Sequence, residues 1–203
     1  MEKIQNKEDI EILQHDLLTL ESWSEKWLLS FNIDKCKVMN LGPGDNVQYF
    51  LHENNEQKEL LHCECENDLG VWISKDLKWS KKCSKAANNA MSMLAVTKRS
   101  FSFINIASFK ILYNTYVRPH LEYCMQIWNP YLKRDIACLE KIQKRATKLV
   151  YGLEKAPYEQ RLKALGLHSL HRRRLRGDLV ETQNSLWQRK YGPQSIISNS
   201  KNY

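Results

Sequence analysis

No two aspartates stand side by side anywhere in the 203 residues. Two-metal nucleotidyl transfer needs clustered carboxylates to hold both Mg²⁺ ions, so that chemistry finds no ready seat in this sequence. The chain also lacks a Gly-x-Ser-x-Gly elbow, a Walker loop and a His-Glu-x-x-His pair. Nucleophilic hydrolysis, P-loop phosphate chemistry and zincin-type catalysis therefore lose their usual signatures. No run approaches the roughly 18 uninterrupted apolar residues of a membrane helix. The first eight residues, Met1 to Glu8, are polar and contain no apolar signal core. The expectation is an intracellular protein, in nucleus or cytoplasm, neither secreted nor membrane-bound. Six cysteines (Cys36, Cys63, Cys65, Cys83, Cys124, Cys138) sit at irregular spacings. Without a secretory signal they read as reduced thiols, not as a disulfide framework. Glycine and proline are sparse, at 7 and 5, and 42% of the residues are hydrophobic. That composition excludes fibrous and disordered classes.

What is present is charge, unevenly spread. The net charge is +8, yet residues 1–70 hold 6 Lys+Arg against 15 Asp+Glu, while residues 71–203 hold 25 against 8. A second half that basic points to a polyanionic partner, of which nucleic acid is the commonest.

The apolar spacing sets out the elements. Ile10, Leu13, Leu17, Leu20, Trp23, Trp27 and Phe31 recur at three- and four-residue steps, predicting a helix over 8–31. Its two tryptophans are expected to pack in a core. Short strand-like runs follow at Cys36–Leu41, Val47–Leu51, Leu60–Cys65 and Leu69–Ile73, separated by turn signals at Gly42–Asn46 and Glu53–Glu56. They predict a small antiparallel sheet. From residue 79 the pattern is helical, with Ala86, Ala87, Ala90, Met93, Leu94 and Thr97 on one contact face. A further run from Ile106 to Val117 should bend or break at Arg118-Pro119. Helices are also expected over 134–151, 157–166 and 169–190. The fold class is thus α+β, mostly α, with one N-terminal helix plus a small antiparallel sheet over 1–78, a helical region over 79–190 and a flexible tail over 191–203.

Three basic clusters stand out. Lys141, Lys144, Arg145 and Lys148 follow an i, i+3, i+4, i+7 pattern on one helix face. Arg172, Arg173, Arg174 and Arg176 form a second cluster, and Lys81, Lys82, Lys85, Lys98 and Arg99 a third. Phosphate backbones reward such spacing, because each Lys or Arg contact releases counterions. A solvated helix face is the competing reading. Aromatics among cations, as in Trp128 to Lys133, either stack on bases or pack in the core, and packing is the expectation. No metal site is expected. Cys63 and Cys65 have no second pair at finger spacing, and His168 and His171 are flanked by basic residues.

Several strings resemble a family when taken in order. Leu13-Gln14-His15-Asp16-Leu17-Leu18-Thr19-Leu20-Glu21-Ser22-Trp23-Ser24-Glu25-Lys26-Trp27 resembles the helix after the catalytic Asp-Asp hairpin of LINE-type, non-LTR retrotransposon reverse transcriptases. Phe31-Asn32-Ile33-Asp34-Lys35-Cys36-Lys37-Val38 is similar to their motif D, and Asp68-Leu69-Gly70-Val71-Trp72-Ile73 to their primer-grip region. Tyr116-Val117-Arg118-Pro119-His120-Leu121-Glu122-Tyr123-Cys124 and Leu139-Glu140-Lys141-Ile142-Gln143-Lys144-Arg145-Ala146 resemble the thumb. The resemblance covers roughly residues 8–185. It implies a palm remnant followed by a thumb that tracks RNA or an RNA–DNA hybrid. Lys35 takes the place that helps protonate the leaving pyrophosphate, with Lys37 the second candidate. Leu69, Gly70 and Val71 take the place of the turn against the primer end. The family's Asp-Asp hairpin lies upstream of the helix that opens this sequence. Mg²⁺, its cofactor, therefore has no ligands here, no cofactor is expected, and Lys35 is inactive alone. A truncated palm should also leave apolar surface open to a protein partner.

Overall fold

A computed structural model of the chain describes residues 6–42, 47–53 and 56–191. The fold is α+β: an N-terminal helix and short strand ladders, then a helical bundle. The chain divides into two compact units, residues 1–78 and 79–203.

The first unit opens with α1, Lys7–Lys26, which starts at a capping box between Asn6 and Asp9. Ile10, Leu13 and Leu17 of α1 pack on a core of Ile33, Tyr49, Leu51 and Leu60. The expected stripe is thus apolar and inward only over its first half. Trp23 and Trp27 are 50% and 61% exposed, with ring centroids 6.4 Å apart. Their expected core position is corrected: in the last turns of α1 it is Ser24 that is buried and Glu21 that binds His52, while the tryptophans stand on the outward side.

A small antiparallel sheet was expected after α1, and three separate two-stranded ladders occur among the described residues. β1 (Lys37–Val38) pairs in parallel with β4 (Leu61–His62). β2 (Phe50–Glu53) pairs antiparallel with β3 (Glu56–Glu59), and β5 (Cys65–Asp68) with β6 (Val71–Ser74). The strands are too short and too polar to hold a shared sheet face, which explains the fragmentation. A side chain of α1 takes over one backbone partner role instead. Gln14 donates to the Phe50 carbonyl at 2.9 Å and accepts from its N–H at 3.0 Å. One turn signal is sharp. Leu69 and Gly70, joining β5 to β6, have φ of 45° and 81°. Positive φ at both central residues is the hairpin geometry that matches strand twist. The residues expected to turn at 43–46 and 54–55, and the tail beyond 191, lie outside the described residues.

The second unit is a bundle. α2 (Ser80–Ser100) buries Cys83, Ala86, Ala87, Ala90 and Leu94. This small-residue face lets α5 (Lys133–Thr147) approach closely and bury Leu139, Ile142 and Ala146. The two helices run side by side in the same direction. Arg134 donates to the Ser80 hydroxyl at 3.0 Å, and eleven residues further along both chains Arg145 meets the Met91 sulfur at 3.8 Å. α3 (Ile106–Leu112) does not break at Arg118-Pro119. A π-helical turn, Tyr113–Val117, passes it into α4 (Arg118–Glu122). The widened turn removes the clash between a proline ring and the carbonyl four residues back, so Pro119 is carried within the helical run. α6 (Tyr158–Leu165) ends at Gly166 in the left-handed region, φ 63°, and α7 (Leu170–Tyr191) follows.

A buried polar chain fixes these helices together. The Tyr113 hydroxyl donates to Gln143 Oε1 at 2.6 Å. The Gln143 amide donates to the Tyr158 hydroxyl at 3.0 Å and to the His168 carbonyl at 2.9 Å. Tyr158 donates in turn to Glu140, which also accepts the Leu170 N–H at 3.0 Å. Burial pushes the Tyr113 and Tyr158 hydroxyls up from the ordinary value of 10.0, and the neighbouring Glu140 adds to the effect at Tyr158. Both stay protonated in the fold while the unfolded chain ionises near pH 10. Stability is therefore full below that pH and falls as pH rises above it. Tyr113→Phe should cost about 1–3 kcal/mol at neutral pH, since Gln143 Oε1 loses its donor. The same variant should lose stability less steeply above pH 10. Urea melts of both proteins across that range check both effects.

Candidate nucleic-acid interface

Helical spacing decides which of the thirteen expected cations reach solvent. Lys81 and Lys85, four residues apart, share the outer face of α2 and are exposed. Lys82 turns about 100° further round the helix, toward Cys83 and Ala86. It is 6% exposed, with its Nζ 5.3 Å from the Tyr123 ring centroid and 5.2 Å from that of Trp128. Burial holds its pKa below the ordinary 10.5. The same geometry splits the arginine run. Arg172 and Arg176 are exposed, and Arg174 is 1% exposed. Arg173, half-buried, forms a double hydrogen bond to Glu122, at 2.5 Å through Nε and 3.1 Å through Nη2. Glu122 raises the pKa of Arg173, whereas burial lowers that of Arg174 despite Glu140, Glu122 and Asp178 nearby. Lys82 and Arg174 are thus corrected from surface cations to interior ones.

The other ten are exposed: Lys81, Lys85, Lys98, Arg99, Lys141, Lys144, Arg145, Lys148, Arg172 and Arg176. Lys141, Lys144, Arg145 and Lys148 stand opposite the buried Leu139–Ile142–Ala146 face of α5. Lys144 lies 5.2 Å from the Tyr158 ring centroid. On the same helix Lys133, Lys141 and Lys144, with Ile136, Ala137 and Glu140, line a shallow depression of about 360 Å³. Because α2 and α5 are parallel, Lys98 and Arg99 at the end of α2 share one end of the bundle with Lys148. Cations in the last turn of a helix also favour its dipole, and that alone explains part of their placement.

The acids are disposed differently. Residues 79–203 contain 23 Lys+Arg and 7 Asp+Glu. Asp135 is buried, and Glu122, Glu140 and Asp178 are half-buried on partners: Ser80 reaches Asp135 at 2.7 Å and Asn129 reaches Asp178 at 2.6 Å. Glu154, Glu159 and Glu181 are the exposed ones. The surface of this unit is therefore more one-sided in charge than its composition.

In the first unit, Lys35 is exposed at the end of a 3₁₀ turn, Ile33–Lys35. Lys37 is held by Glu66 at 2.7 Å, which raises its pKa. Leu69 and Gly70 stand at the tip of the β5–β6 hairpin, but the Val71 side chain is buried, so only the first two of that trio present themselves outward. Among the described residues no three His, Cys, Asp or Glu side chains gather at metal-ligand spacing. No described helix is long and apolar enough to cross a membrane.

Sequence reasoning missed one feature. Phe103 and Tyr151, 48 residues apart in sequence, form an exposed ring pair, each a few residues along the chain from exposed cations: Lys98 and Arg99 before Phe103, and Lys148 before Tyr151. The only local signal is an aromatic one turn beyond the basic stripe of α5.

No protein-family model matches the chain. No solved structure matches it either. The chain is 30% identical over 112 residues, 54% of its length, to a protein of Caenorhabditis elegans described as uncharacterized. That match spans 57% of the relative's length. Amine-reactive labelling of the native protein tests the placement of the lysines. Lys141 and Lys148 should label early and Lys82 only on unfolding. Early labelling of Lys82 would contradict its buried position.

Proposed function

We propose that this chain derives from the palm end and thumb of a LINE-type retrotransposon reverse transcriptase and binds RNA or an RNA–DNA hybrid without polymerising. The observation that carries the reading is the charge of the second unit. Ten of the thirteen expected cations are exposed, and most acids there are turned onto partners. A polyanion meets few repulsive groups on such a surface. The ordered strings from Leu13 to Ala146 resemble one family and support the origin. The helix, hairpin and bundle order is compatible with it. Polymerisation is excluded from the proposal because the sequence holds no Asp-Asp pair to seat Mg²⁺.

A second reading has its own observation. Leu20, Trp23, Trp27, Leu28 and Leu29 are exposed at the end of α1, with Leu28 92% exposed. An apolar cluster of this kind suits a protein partner, with no nucleic acid involved.

Binding of an RNA–DNA hybrid should weaken steeply with salt. If about six cations engage phosphates, affinity falls roughly 10³-fold between about 50 and about 200 mM salt. Replacing Lys144 or Lys148 by Gln should each lower the log–log salt slope by about one, and Lys82→Gln should leave it unchanged. Absence of hybrid binding at low salt would favour the protein-partner reading. Purified protein with Mg²⁺ and a primed template should incorporate no dNTP, and measurable incorporation would overturn the non-catalytic assignment.

A further inference from the structure

The parallel course of α2 and α5 brings two segments to one end of the bundle: the chain leaving α2 and the turn leaving α5. Phe103 and Tyr151 meet there, with ring centroids 5.0 Å apart and planes inclined at 48°. The Tyr151 N–H donates to the Ile104 carbonyl at 2.9 Å, which fixes the two segments against each other. The rings nevertheless remain 58% and 70% exposed. Ring pairing does not in itself demand this. Phe109 and Tyr113 also pair, at 5.4 Å, and are almost fully buried.

The chain leading into each ring of the exposed pair is cationic. Lys98 and Arg99 lie in the last turn of α2, a few residues before Phe103, and Lys148, the C-cap of α5, lies three residues before Tyr151. The nearest acid in sequence, Glu154, accepts from the Gly152 N–H at 3.2 Å. An apolar protein surface would leave these cations without partners. A ligand with flat apolar faces strung between negative charges satisfies both rings and cations. Paired bases in a duplex already have both faces stacked, so the fit is to an unpaired base.

We propose that Phe103 and Tyr151 form a base-stacking site for an unpaired nucleotide of single-stranded RNA or DNA, with Lys98, Arg99 and Lys148 holding the flanking phosphates. The inference rests on the nucleic-acid-binding reading but separates from it, because the cations bind phosphates with or without bases and the rings bind bases alone.

The test uses the full chain with a short oligothymidylate, an abasic strand of the same length and a duplex. The double variant Phe103→Ala/Tyr151→Ala should bind the base-bearing strand roughly 5- to 150-fold more weakly, the range expected for one lost base–aromatic stack. Its affinity for the abasic strand and the duplex should not change. Tyr151→Trp should retain tight binding, and its added fluorescence should be quenched by the base-bearing strand alone. Equal binding of base-bearing and abasic strands by the wild type, or an equal loss on both strands in the double variant, overturns the inference while leaving phosphate binding intact. Failure of the wild type to bind any of the three at low salt overturns both readings.

Discussion

The second unit depends on one buried amide. Gln143 lies within α5 among apolar neighbours, and its oxygen and nitrogen are both committed, to Tyr113, Tyr158 and the His168 carbonyl. These partners belong to the π turn, to α6 and to the segment leading into α7. A buried amide without partners costs several kcal/mol, so each of these segments has one position that avoids the penalty. Glu140, one turn earlier, extends the same constraint to the first N–H of α7. The basic face of α5 is held steady because the opposite face is pinned at polar as well as apolar points.

That constraint also explains how charge is sorted. Helices packed by small residues and a polar chain leave little room for ions, and those inside are paired or laid over rings, except Arg174, whose buried guanidinium has no hydrogen-bond partner among the described residues. Glu122 takes Arg173 and Arg118, and Lys82 lies against Tyr123 and Trp128. The remaining cations stand outward. A surface charge of one sign is mildly destabilising to a small bundle and is retained where it attracts a polyanion. Fold and proposed binding thus arise from the same helical register.

Much of this was legible from spacing alone. The helix-rich second unit, the contact face of α2 and the basic stripe of α5 follow directly from three- and four-residue periodicity. So does the first half of α1. Reading a basic run as a single patch failed at Lys82 and Arg174, because neighbouring residues on a helix point about 100° apart. The proline at 119 did not end the helical run, because a π turn can absorb what an α-helix cannot. Trp23 and Trp27 were misplaced because apolar periodicity shows which face is apolar, not which face the last turns bury. The Phe103–Tyr151 pair was invisible, since it exists only once α2 and α5 lie in parallel.

Photo-crosslinking of a bound RNA–DNA hybrid, read by mass spectrometry, tests the central claim most directly. If the cationic surface of the second unit is the nucleic-acid interface, crosslinks should concentrate within residues 81–99 and 141–151 and should disappear as salt rises. Crosslinks confined to residues 6–78, or scattered evenly over both units, would contradict it.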